Sequence, residues 1–278
     1  MNTRKTYLDP TLEKYYSEGK EKDRLAACLL EKDRTLKILK RSMPLPPAIV
    51  LDIGGAAGAY AFPLADQGYE VHLIDPISLH IEQAQEYARN TCKQLASYTI
   101  GDARKIDKPD SFADVVLLFG PLYHLMESEY RLKALSESFR VLKPGGILFA
   151  VAISRFASLM DGMNKGVIYS KLDVIEEDLV SGKHWKTGVN DFTSPYLYLH
   201  QPMEFHEEIV RAGFKEVILK AIEGPIWQEA LIADLRKDLT GWERLLCILE
   251  TIEEEKSIIG ASAHIMGIGK KMLDANGN

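Results

Sequence analysis

The stretch "LDIGGAAGAYAFPLADQGYEVHLIDP", Leu51–Pro76, holds the pattern from which the rest of the chain can be read. Ala48–Ile53 is a short apolar run that stops at glycines, which predicts a buried strand. Ala59–Gln67 reads as a helix and Glu70–Ile74 as a second strand, which ends at the acid Asp75. Strand, glycine turn, helix, strand and acid together make a nucleotide-type βαβ unit. Gly54, Gly55 and Gly58 lack a side chain, so the backbone there can come close to a ligand.

Outward from this unit the alternation continues. Ser78–Ala96 reads as a long helix with Ser78 as its N-cap. Ser97–Ile100 is a short third strand and "ADVVLLFG" (113–120) a fourth. Ser128–Leu142 is helical and stops at "KPGG", where proline and two glycines call for a turn. "ILFAVAI" (147–153) is the fifth strand. Strands alternating with helices at this spacing predict a parallel sheet covered on both faces. An insertion follows at 154–201, then a helix at "PMEFHEEIVRAGF" with Gly213 at its C-terminal end and a strand at 215–223. A second insertion, about 225–258, reads as helical, and "ASAHIMGIGK" (261–270) as the last strand. Residues 11–42 are helical up to the break at "MPLPP" (43–47), because proline lacks the donor a helix needs. We divide the chain into an N-terminal helical lid (1–45) and a core (46–278) carrying the two insertions.

Of the 278 residues, 46% are hydrophobic and 27% charged, as expected of a packed globular protein. The net charge of −6 disfavours a phosphate backbone as partner, so no nucleic acid is expected. The three cysteines, Cys28, Cys92 and Cys247, lie far apart, with no CxxC pair. That argues against a disulfide framework or a zinc site and suits a reducing compartment. With no apolar signal core and no membrane-spanning run, a cytoplasmic location and no membrane partner are expected. Oligomeric state is not encoded in these features.

The glycine loop narrows the ligand. A dinucleotide site prefers GxGxxG, but Ala56 and Ala59 stand at the second and third glycine positions counted from Gly54. A P-loop needs a lysine that "GAYAF" lacks. "LDIGGAAG", the acid Asp75, "GDA" (101–103), "FADVVLLFGPLYHL" and "LKPGGILFA" occur in order, each at a strand end. In that order they resemble class I S-adenosylmethionine-dependent methyltransferases over roughly 48–153, with a tail at 203–223 and 261–270. "YYSEGKEKDRL" and "FGPLYHL" further resemble a broad bacterial group of small-molecule methyltransferases. The resemblance implies a Rossmann-like α/β fold: a seven-stranded, mostly parallel sheet with an antiparallel last strand, flanked by helices. It implies S-adenosyl-L-methionine as cofactor and methyl transfer to a small-molecule acceptor. It assigns cofactor contacts to Asp52, Gly54, Gly55, Ala56, Gly58, Asp75, Pro76, Asp102, Ala103, Phe119 and Gly120. Within that set, Asp52 would order the loop and face the cationic methionyl end, Asp75 would take the ribose hydroxyls and Asp102 the adenine amino group.

His124 lies just past the fourth strand, where ligands of such sheets bind, and is the candidate general base. The alternative is a histidine that only shapes the pocket. Tyr16 is the second candidate for the chemistry, and Tyr15 and Tyr123 are candidate acceptor contacts. "SPYLYLHQP" alternates Tyr196, Tyr198 and His200 against leucines, which predicts a strand with one polar-aromatic face and makes Tyr198 and His200 acceptor-pocket candidates. Glu21 and Arg24 read as a surface pair. His72, His80, His184, His206 and His264 are scattered without ligand spacing, so no metal is expected. "EEE" (253–255) reads as a solvated helix face. Two other functions stay open. The fold could bind the cofactor without chemistry, as a sensor or partner subunit, or it could serve a nicotinamide oxidoreductase, which the alanines at 56 and 59 disfavour.

Overall fold

The computed structural model describes residues 10–17, 28–185 and 196–273. Glu21 and Arg24 therefore lie outside the described residues. Two helices, α1 (Pro10–Ser17) and α2 (Leu29–Ser42), come first. The segment quoted above then forms β1 (Ile49–Ile53), a glycine turn, α3 (Ala61–Ala65) and β2 (Glu70–Asp75). Next come α4 (Ser78–Thr91), β3 (Ser97–Ile100), β4 (Ala113–Leu118), α5 (Pro121–His124), α6 (Ser128–Val141) and β5 (Leu142–Ser154).

The strand order β3-β2-β1-β4-β5 is parallel throughout. The chain moves outward from β1 to β3, then crosses back to β4. This places a topological switch between β1 and β4, and the crevice outside their carboxyl ends is where such sheets bind ligands. Period-2 alternation sorts the strands between two cores. Leu51, Ile53, Val116 and Leu118 join one, and Val50, Val71, Leu73, Val115 and Leu117 join the other. Burial of each such side chain contributes about 1.5–3 kcal/mol.

The first insertion contributes α7 (Ala157–Asn164), α8 (Leu172–Ser181), β6 (Lys183–Trp185) and β7 (Tyr196–His200). After α9 (Pro202–Arg211) and β8 (Lys215–Ala221), the second insertion is helical as expected: α10 (Glu229–Leu235), α11 (Leu239–Ile252) and α12 (Lys256–Ile259). β9 (His264–Lys270) runs antiparallel between β5 and β8, as the fold reading required. Among the described residues the expected seven strands are extended to nine, because β7 pairs with the end of β5 and carries β6 with it.

Four local expectations are corrected. The "KPGG" turn does not precede β5 but lies inside it. Ala113 pairs with Leu142 and Val115 with Ile147, so the extra residues bulge out of the ladder. Gly145 donates to Lys271 O at 2.7 Å from that bulge. Ser78 is the first helical residue, and Ile77 is the N-cap. The same helix stops early, at the left-handed Cys92, rather than reaching Ala96. Glu253 is not a solvated residue: it is 4% exposed and takes ion pairs from Arg34, Arg41 and Lys220.

The N-terminal segment does more than cover the sheet. Ile38 and Leu39 of α2, with Met43 just past its end, join the core cluster of β1 and β2. Leu30 packs with Trp242, Leu246 and Leu249 of α11 in a third cluster, so α2 bridges the core and the second insertion.

Candidate active site

A cavity of about 480 Å³ opens over the switch point between β1 and β4. One half is built from the carboxyl ends of β1, β2 and β3. Gly54 takes a φ of +73°, and a Cβ there would stand 2.6 Å from Pro121 Cδ, so only glycine fits. A Cβ at Gly55 would stand 2.5 Å from the Asp52 carboxylate. Asp75 closes the turn. Its Oδ2 accepts from Ala56 N (2.9 Å), and its Oδ1 accepts from Ile77 N (2.9 Å) and His80 Nδ1 (2.9 Å). A carboxylate offers about four acceptor positions, so roughly one remains for a ligand.

The bond to Asp75 also fixes His80. A carboxylate only accepts, so Nδ1 carries the proton and Nε2 of the neutral ring is an acceptor. That Nε2 is buried in the cavity wall and has no hydrogen-bond partner among the described residues. Asp75 and His80 thus offer adjacent acceptor positions, a match for a diol. Asp102 also lines the cavity, with its carboxylate gripped in two-pronged fashion by Arg104 (Nη2–Oδ2 2.6 Å).

Asp52 sits behind the glycine loop rather than in the cavity wall. It is fully buried, and neither carboxylate oxygen has a partner among the described residues. Burial, reinforced by the charge of Asp75, pushes its pKa up to about 7. An uncompensated buried carboxylate beneath a ligand loop favours a cation above it.

The other half of the cavity holds the aromatic and titratable groups. The Tyr16 hydroxyl and His124 Nε2 are hydrogen-bonded at 2.7 Å. The Tyr16 ring stands edge-on to His124 (5.4 Å), to His80 (5.5 Å) and to Tyr15 (5.1 Å). Tyr123 packs against His124 at 4.7 Å. Leu12 and Tyr16 of α1, Glu31 and Thr35 of α2, Tyr196 of β7 and His264 of β9 complete the lining. Glu223, just past β8, is held by His264 Nδ1 (2.5 Å), Ser262 Oγ (2.9 Å) and His264 N (3.0 Å). Burial works against the charge on Glu223, but His264 and Ser262 outweigh it and hold the carboxyl below its usual range.

Of the residues singled out from the sequence, Tyr16, Gly54, Gly55, Ala56, Asp75, Pro76, Asp102, Ala103, Phe119, Gly120, Tyr123 and His124 line this one cavity. Asp52 lies under the loop. Gly58 shapes the turn beside Phe62, and Tyr15 backs Tyr16 from outside the lining. Tyr198 and His200 do not line the cavity, although they share an alternation with Tyr196, which does. They are buried in an ionic cluster instead. Arg131 lies 3.6 Å over the Tyr198 ring, the Tyr198 hydroxyl bonds Glu204, and His200 Nε2 bonds Glu208 at 3.2 Å. Burial, with Glu204 adding to it, pushes the Tyr198 pKa up to about 12, and burial lowers that of His200.

Sequence reading passed over His80, Glu31, Thr35 and His264. His80 carried a signal, being five residues past the acid and in the first turn of the next helix. Glu31 and Thr35 carried one as well: polar residues four apart on the helix face that is otherwise buried. Nothing in the sequence distinguished His264.

Comparison with known proteins agrees with this geometry. Residues 50–146 match the family model described as a methyltransferase domain. The chain is 27% identical over 181 residues to the ubiquinone biosynthesis O-methyltransferase of Rickettsia canadensis, covering 65% of this chain and 67% of that one. It is 27% identical over 179 residues to the ubiquinone/menaquinone biosynthesis C-methyltransferase of Pasteurella multocida, covering 60% and 62%. The match thus spans about two thirds of the length of these relatives. An S-adenosylmethionine-dependent methyltransferase structure from Methanosarcina mazei shares the fold, with a TM-score of 0.59 at 18% identity over 85% of this chain and 98% of that one. The motifs stand in order on the expected strand ends, and the central segment that carries them, residues 50–146, is similar to methyltransferase domains.

Proposed function

We propose that this protein transfers a methyl group to a small-molecule acceptor, and that His124, working through Tyr16, removes the acceptor's proton. The observation that carries the reading is the 2.7 Å Tyr16–His124 hydrogen bond inside the cavity formed by the glycine loop, Asp75 and Asp102. S-adenosylmethionine, when bound, supplies a methyl group already activated as a sulfonium. Asp75 and His80 Nε2 would hold the ribose hydroxyls, Asp102 and Arg104 would border the adenine, and the Asp52 charge would favour the cationic end. Tyr16 Oη takes the proton of the acceptor while its own passes to His124 Nε2. Tyr123, packed on the ring, keeps the imidazole in place. Leu12 and Tyr16 on α1 act as a lid that keeps water out, since a positioned nucleophile in a dry site is most of what this transfer requires.

Two measurements test the proposal. Calorimetric titration with S-adenosylhomocysteine and separately with NADH should show binding of the first alone; binding of NADH alone would overturn it. With labelled S-adenosylmethionine and a fractionated metabolite extract, His124→Ala should lower turnover about 100-fold or more, the usual worth of a positioned base, while S-adenosylhomocysteine binds as in wild type. Full turnover by His124→Ala would remove His124 from the chemistry.

A further inference from the structure

The acceptor half of the cavity contains a second polar cluster that the proton relay does not use. Glu31, Glu223 and His264 each place a ligating atom within 4.8 Å of the others. They come from α2, the segment just past β8 and the start of β9, over the part of the sheet away from Asp75 and Asp102. Thr35, one turn beyond Glu31 on the same helix, lines the same cavity at 1% exposure. Its hydroxyl is buried with no hydrogen-bond partner among the described residues. A buried hydroxyl without a partner costs about 1–3 kcal/mol, so a ligand group is the expected counterpart.

We infer that this cluster recognises a protonated amine on the methyl acceptor, and that the amine is a handle distinct from the atom that is methylated. The inference rests on the cavity being the methyl-transfer site. An ammonium carries three donors and no lone pair, so while held charged it cannot be the nucleophile. Acceptors grouped around an ammonium nitrogen at hydrogen-bond distance stand about 4.6 Å apart, so they must share one cavity, and Glu31, Thr35 and His264 all line this one. Glu31 supplies a carboxylate and Thr35 a hydroxyl acceptor. Glu223 accepts a hydrogen bond from His264 Nδ1, which leaves Nε2 of the neutral ring as an acceptor and sets a negative charge behind it. A metal ion fits less well. Both Glu223 oxygens already accept from protein donors, and a metal would displace the proton that joins Glu223 to His264. The walls beside the cluster, Val151, Ile222 and Tyr196, suit an apolar or aromatic body on the acceptor.

The test pairs each amine with a neutral isostere. Propylamine, phenethylamine and tyramine are titrated against propanol, phenylethanol and 4-(2-hydroxyethyl)phenol, with and without S-adenosylhomocysteine, on wild type, Glu31→Gln and Thr35→Val. At least one amine should bind tenfold or more tightly than its isostere. That preference should collapse in Glu31→Gln and fall about threefold in Thr35→Val, with S-adenosylhomocysteine affinity unchanged in both. Near-UV circular dichroism confirms that the variants are folded, and Thr35→Val, which removes only the unpartnered hydroxyl, serves if Glu31→Gln is not. No preference in any pair, or a preference that survives Glu31→Gln in folded protein, overturns the inference. One-to-one binding of Zn²⁺ by wild type that is lost in Glu31→Gln would assign the cluster to a metal and also overturn it. Failure of S-adenosylhomocysteine to bind wild type would sink the methyl-transfer reading instead, and the amine arm is read independently of it.

Discussion

Replacing Asp52 by asparagine should stabilise the ligand-free protein in a pH-dependent way. Asp52 is fully buried and neither oxygen is bonded among the described residues, and burial with the charge of Asp75 raises its pKa from the ordinary 3.8 to about 7. In the unfolded chain it ionises near its ordinary value. Between those two values the folded state binds more protons than the unfolded one, so stability falls as pH rises. The loss is about 1.4 kcal/mol per pH unit and levels off above pH 7, reaching about 4 kcal/mol in total. Asparagine never ionises and removes this loss. It keeps the volume but leaves an amide unpaired in the same place, a penalty of about 1–3 kcal/mol that does not vary with pH. The informative quantity is therefore the change in the mutational effect between pH 5 and pH 8, in which the amide penalty cancels. It should be about 2–3 kcal/mol in favour of the variant at pH 8. Urea unfolding of both proteins at pH 5, 6, 7 and 8 measures it. A mutational effect that stays the same across that range would refute the reasoning, because it would mean that Asp52 titrates normally and has found a partner or water.

Other outcomes can be checked with the same preparations. Gly54→Ala places a Cβ 2.6 Å from Pro121 at a φ of +73°, and should weaken S-adenosylhomocysteine binding at least tenfold by calorimetry. Glu253→Gln leaves Arg34 buried without its counter-ion and should cost about 3–5 kcal/mol in urea unfolding at pH 7. Burial works against the Glu253 charge, but bonds from Lys220, Arg41 and Arg34 hold its carboxyl below the usual range. Its stabilisation is therefore present above the ordinary value of 4.5 and lost as pH falls through the lowered one, so wild type and variant should converge in acid.

The sheet and the glycine-loop half of the cavity were legible because they are local. A strand, its glycine turn and the acid that closes it lie within Leu51–Pro76, and each has a geometric reason that sequence alone displays. The period-2 runs of β1, β2 and β4 are buried on both faces, which is why they read as continuous apolar strands. Where several strict local rules met, the reading missed. "KPGG" satisfies every turn rule, yet tertiary pairing with β4 and Lys271 absorbs it as a bulge inside β5. Tyr196, Tyr198 and His200 alternate correctly, but alternation says only that they share a face. Which part of that face meets the cavity depends on α9, which buries Glu208 and the outer two residues together.

The half of the cavity proposed to take the acceptor was illegible for a different reason. Its polar groups come from α2, β7, β9 and the segment just past β8, and no local pattern ties Glu31 to His264 across 233 positions of chain. What sets them side by side is an ion network that looks like surface charge in the sequence. Arg34 lies three residues after Glu31 and one before Thr35. Its buried guanidinium bonds Glu253 Oε2, Leu246 O and Ile222 O, the last being the carbonyl just before Glu223. One side chain therefore fixes the rotation of α2 relative to the strand end that carries Glu223. A buried ion pair is a poor source of net stability, and its best-attested use is to specify one arrangement over near alternatives. Here the arrangement it specifies is the one that brings a carboxylate, a hydroxyl and a histidine to the same wall. A turn of α2 by one residue, about 100°, would swing Glu31 and Thr35 out of the cavity. Hydrophobic packing by Ile38 and Leu39 tolerates such slips more readily than a guanidinium with three fixed acceptors does, so the specificity of this half of the site resides in Arg34 and Glu253 rather than in the residues that would touch the acceptor.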